Sequence, residues 1–158
     1  MFFISLMKKL RKVTDLVDVF EPEDHNDHVD NWKEQLEKNK QWISWYRDIE
    51  NCVQELEQII NKMRYVKNGD YYSAEDHNLF VSAWEKEIEI DEKIAPNAPV
   101  LLKLKQLLSQ LPRLAPGDFY FAMYHNIFAD AWILQEQINA LTKLPPSMNL
   151  IFSEDWGE

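Results

Sequence analysis

The chain reads as an all-α protein, an up-and-down bundle of four to five helices, and three observations predict it. Only three glycines, Gly69, Gly117 and Gly157, occur in 158 residues, too few positive-φ positions for the many tight turns of a sandwich or barrel. Hydrophobic residues make up 46% of the chain and recur at three- and four-residue spacing, the period of a helix face. The seven prolines fall between these periodic stretches, where they end helices rather than interrupt them. A chain of this length suits one core, so residues 1–144 are expected to form a single helical domain and 145–158 an extended acidic and aromatic C-terminal tail.

Each element follows from its own pattern. Ile4, Met7, Leu10, Val13, Leu16, Val17 and Phe20 share a face and predict a first helix over 2–20, stopped by Glu21-Pro22. Trp42, Ile49, Leu56 and Met63 recur at steps of seven, with Trp45/Tyr46, Cys52/Val53 and Ile59/Ile60 between them, and predict one long helix over about 28–66. Its first turns, around Trp32 and Leu36, are poorer in apolar residues and are expected to project or to be covered by another element. Asn68-Gly69-Asp70 ends the rod. Ser73-Ala74-Glu75-Asp76 forms a variant capping box opening a third helix, with Phe80, Trp84 and Ile88 inward and Glu85, Glu87, Glu89, Asp91 and Glu92 outward. Asn97 caps a short fourth helix striped by Val100, Leu104, Leu107, Leu108 and Leu111. The last helix, about 119–143, is apolar on nearly all sides through its first half and should be central. No internal repeat or low-complexity tract stands out.

The formal net charge is −10, and between residues 21 and 60 eleven acids face only four bases. Such a field repels phosphate backbones, so direct nucleic-acid binding is disfavoured and a protein partner with a basic surface is favoured. Cys52 is alone and no Asn-x-Ser/Thr sequon occurs, which points to the reducing cytoplasm. The apolar start at Met1–Met7 precedes its positive charges, the reverse of a signal peptide, and is too short to span a bilayer. A long amphipathic helix with spare aromatics allows a homodimer.

Chemistry-bearing motifs are sparse. His25 and His28 sit three residues apart among Asp24, Asp27 and Asp30, a metal-compatible donor set, and His77 with His125 could complete a three-histidine site inside a bundle. No His-Glu-x-x-His or paired Glu-x-x-His supports such a site, and an EF-hand starting at Asp24 fails at Val29 and Gln35. The bland alternative is a solvated acidic helix start, whose carboxylates favour the positive end of the dipole. His125, Asn126 and Asp130 are the strongly polar residues of the last helix's apolar half, expected as satisfied core or edge groups. Cys52 reads as core, and phosphate loops and nucleophile elbows are absent.

No catalytic residue or cofactor is therefore assigned. The expectation is a non-enzymatic, acidic protein-binding module, a small stoichiometric inhibitor, immunity-type protein or adaptor. Its contact residues would be Glu34, Glu37, Asp48 and Glu55 with the aromatics Trp42, Trp45, Phe152 and Trp156. Two alternatives stand beside it: a metal-dependent helical-bundle enzyme using His25, His28, His77 and His125, and a DNA mimic occupying a nucleic-acid-binding protein. The second is weakened by Lys33, Lys38, Lys40 and Arg47 within the acidic run.

Overall fold

Capping chemistry that the sequence carries openly sets the starts of two of the long helices. The computed structural model describes residues 7–14 and 21–142, and every regular element among them is helical: α1 (Pro22–Trp42), a 3-10 turn (Arg47–Ile49), α2 (Glu50–Asn61), α3 (Ala74–Ile94), α4 (Pro99–Leu108) and α5 (Ala122–Leu141). Pro22 occupies the first turn of α1, where its missing N–H costs nothing, and Glu21 and Asp24 satisfy each other's backbone as a capping box. Ser73 and Asp76 do the same for α3, as the sequence predicts. Ala98, not Asn97, caps α4, with Pro99 as its first residue. No helix among the described residues is long and apolar enough to cross a membrane.

The predicted rod over 28–66 is two helices. The chain turns at Ile43–Tyr46, a run of β-branched, hydroxyl and aromatic residues with weak helix propensity. α2 then returns antiparallel to α1 and α3: Lys40 bonds Glu57, while Lys93 and Lys86 of α3 pair with Asp48 and Glu55 respectively. Residues 7–14 are not helical either, so the predicted first helix fails over this stretch; its remaining residues lie outside the described ones. The tail 145–158 lies outside them too.

Three long helices form the centre. Trp32, Trp84 and Trp132 pack ring against ring, with centroids 4.6–4.7 Å apart. Below them His28 touches Phe80, His125 and Phe128, and above them Asn39 reaches Glu87 and Gln35 reaches Asn139. Side chains at matching heights meet at all three levels, so α1, α3 and α5 run parallel, and the antiparallel α2 and α4 connect them. Trp32 is fully buried and Leu36 is buried too, so of the two outcomes expected for this end, projection or cover by another element, the second holds.

This arrangement is a threefold internal repeat, contrary to the reading that none exists. Residues 69–84 read GDYYSAEDHNLFVSAW and 117–132 read GDFYFAMYHNIFADAW, and DHNDHVDNW at 24–32 matches their last nine positions in part. Gly69 and Gly117 occupy equivalent turns with φ of +96° and +91°, a conformation in which a Cβ would be strained. Each is followed by an Asp that accepts the N–H three residues before it, from Lys67 and Ala115 respectively.

Candidate functional site

The repeat writes the same device three times at the starting ends of the long helices. Asn26, Asn78 and Asn126 each clamp one backbone residue, donating to its carbonyl and accepting its N–H. Their partners are Val66 (2.9 and 2.8 Å), Leu114 (2.8 and 2.8 Å) and Val13 (2.8 and 2.9 Å). Two residues before each clamped one, a carbonyl accepts from a histidine: His25 to Arg64, His77 to Pro112 and His125 to Arg11, each at 2.7 Å. Arg11 and Arg64 then hold the buried Asp24 and Asp76 through two guanidinium nitrogens each. The third repeat has Tyr124 in place of that aspartate and carries its arginine one residue later, at Arg113, which turns to Glu85.

These bonds fix the histidine tautomers. His28 Nδ1 accepts from Trp132 Nε1 at 3.2 Å, so its proton sits on Nε2 and is donated to His125 Nδ1, also at 3.2 Å. His125 donates its own Nε2–H to the Arg11 carbonyl. The relay runs from Trp132 through both imidazoles to the backbone with every member neutral. Burial lowers the pKa of all four histidines, and that of His28 falls well below the usual range, with the neighbouring His125 adding to the effect. Asp24, His25 and His28 are therefore interior rather than part of a solvated helix start, while Asn26 and Asp27 stay partly exposed. His28 and His125 are brought together; His25 and His77 are held on separate carbonyls. Among the described residues no group of three His, Cys, Asp or Glu is placed to hold a metal.

At the finishing ends the repeat places a second polar layer, which sequence reasoning missed. Gln35, Glu87 and Gln135 lie three residues beyond the tryptophans, and Asn39, Asp91 and Asn139 lie seven beyond. Glu87 and Asp91, expected outward, are fully buried, because positions 80, 84, 87 and 91 share one helix face. Ile88, expected inward, is only partly covered. Asn39 donates to Glu87 at 2.7 Å, and Asn139 donates to Gln35 at 2.8 Å. Burial pushes Asp91 up to about 7, and burial together with the Asp91 charge holds Glu87 well above the carboxylate range. The signal that could have found the layer is the pattern Trp-x-x-Gln/Glu-x-x-x-Asn/Asp, present three times.

The predicted contact residues scatter. Glu34 is half-buried, and Trp42 is buried, so the latter offers no surface. Trp45 packs partly against the core. Glu37, Asp48 and Glu55 are exposed and pair with Lys40, Lys93 and Lys86. Phe152 and Trp156 lie outside the described residues. Cys52 is half-buried against the core, and burial pushes its thiol up, away from reactivity. No family model, no curated protein and no solved structure matches this chain.

Proposed function

We propose that the chain is a non-enzymatic protein-binding module that offers an acidic helical face to a basic protein surface, as a small inhibitor, immunity-type protein or adaptor would. The observation that supports this reading is the outer face of α2 and α3. α2 carries no basic residue between Glu50 and Asn61, and Asp48, Glu55, Glu89 and Glu92 stand 67%, 53%, 50% and 46% exposed. Each of these four acids pairs with Lys86, Lys93 or Lys105, four acids against three lysines, so the offset is partial, and the more exposed pairs at Lys93 and Lys105 release their partners at little cost. The face therefore shifts from α1, where Glu34 is half-buried, to α2 and α3. The reading moves away from the four histidines as a catalytic metal set, since His25, His77 and His125 each spend a ring nitrogen on the backbone.

The test is capture of a partner by the immobilised chain, compared with the variant D48K/E55K/E89K. The variant is expected to lose at least about tenfold in affinity for a basic partner, and the loss should shrink at high salt. Unchanged capture sinks the proposal. Competition of the captured partner by duplex DNA marks DNA mimicry as the mode of binding; indifference to DNA leaves an ordinary protein interface.

A further inference from the structure

The polar layer at the finishing ends of α1, α3 and α5 has more acceptors than donors. Its four amides supply eight N–H hydrogens and its two acids, both held above the usual carboxylate range, at most two O–H hydrogens, against four amide and four carboxyl oxygens, each with two lone pairs. The imbalance is visible at Gln135, whose Nε2 stands 3.1 Å from Asp91 Oδ1, 3.1 Å from Asn139 Oδ1 and 3.4 Å from Glu87 Oε2 with only two hydrogens to give. Asp91 Oδ2 and Gln135 Oε1 are buried there with no partner among the described residues. Two carboxyl groups thus sit in the interior, bonded to each other and to amides, and among the described residues their hydrogen-bond partners include no Lys, Arg or His.

The helix directions compound this. Three parallel helices end together at this layer, with Asn39, Asp91 and Asn139 in or next to their last turns. Their unsatisfied carbonyls make that end negative, a poor place for an anion and a good one for a cation. We propose that the layer binds one oxygen-seeking divalent cation, of the Ca²⁺ or Mn²⁺ kind, between the carboxylates of Glu87 and Asp91 and the side-chain oxygens of Gln135 and its amide neighbours. The two carboxylates match the cation's charge. Three residues at one height and three at the next, around an approximate threefold axis, supply the six oxygens that such ions prefer. A half-turn of each amide exchanges its nitrogen for its oxygen at the same position.

The experiment uses the full chain, stripped with a chelator and checked for folding by circular dichroism. It is titrated with CaCl2 and MnCl2 by calorimetry at pH 7. The expected result is one cation per chain. The variant E87Q/D91N should lose on the order of 100-fold or more in affinity, and E89Q/E92Q on the surface should lose less than about threefold. Mn²⁺ should also broaden the indole N–H signals of Trp32, Trp84 and Trp132 in the unmodified chain, one helical turn away, a readout that needs no variant. Either no saturable binding below millimolar or binding that survives E87Q/D91N would overturn the site. Loss of partner capture on D48K/E55K/E89K bears on the surface face alone and leaves this site standing.

Discussion

The two ends of the central three-helix frame face the same burial problem and resolve it in opposite ways. At the starting end, each of the three equivalent imidazoles closes on a backbone carbonyl, and the clamping asparagines use both halves of their amides. At the finishing end, two acids and four amides crowd around too few protons, and two oxygens are left over. Parallel helices make the difference physical. Positive helix ends gather where the histidines stay neutral and Asp24 and Asp76 are buried, and negative ends gather where carboxylates hold their protons. A single repeat sequence thus produces one end whose leftover buried atoms are the ring nitrogens His25 Nδ1 and His77 Nδ1, and one whose leftover atoms are oxygens that ask for a cation.

The tryptophan ring between the ends is where the comparison breaks most severely. Trp84→Ala removes a side chain that touches both neighbouring rings and sits fully buried, and should cost about 3–5 kcal/mol in urea denaturation. Trp45→Ala, from the half-buried turn, should cost less than half as much. Equal losses would mean that the ring is not the point through which the two ends are held in register.

The acid layer comes next. Both acids have raised pKa values in the fold, so they contribute fully only below their unfolded values near 4, and stability drains away as pH rises toward about 7, where Asp91 titrates. In chelator, E87Q/D91N should match the parent near pH 5 and exceed it by on the order of 2 kcal/mol at pH 8, since each tenfold change in a group's proton affinity is worth about 1.4 kcal/mol. Urea midpoints across that range measure it. A gap that stays constant with pH would mean that the pair does not titrate in the fold.

Much of the fold is legible in the sequence, and the misses have identifiable causes. The capping box at Ser73, the burial of Leu104 and the centrality of the last helix follow from local chemistry and hold, whereas Val100, Leu107, Leu108 and Leu111 of the predicted stripe are only partly buried. The single rod fails, because Trp42, Ile49, Val53, Leu56 and Ile60 are all buried and keep helical spacing straight through the turn at 43–46. An antiparallel pair packing on one core keeps that phase as well as a single helix would. Glu87 and Asp91 are hidden by composition: five acids in eight residues look solvated until positions 80, 84, 87 and 91 are placed on one face. The histidines stand out one at a time, whereas their meaning lies in the His-Asn pair recurring seven residues before a tryptophan.

The smallest effect sharpens the comparison from the other end. Positions 28, 80 and 128 are equivalent, and only the first departs from phenylalanine. His28→Phe restores the symmetric apolar layer but takes the acceptor from Trp132 Nε1 and the donor from His125 Nδ1, for a net loss of about 1 kcal/mol at pH 8. A histidine whose pKa is lowered in the fold stabilises fully above its unfolded value near 6.5 and loses that contribution as pH falls. Removing the most strongly lowered of the four should therefore flatten the acid side of the stability profile by one proton, about 1.4 kcal/mol per pH unit. The variant then gains on the parent between pH 6.5 and 5, and the two curves cross. Parallel curves would show that the Trp132–His28–His125 relay accepts a proton inside the fold, in which case the starting end is not neutral.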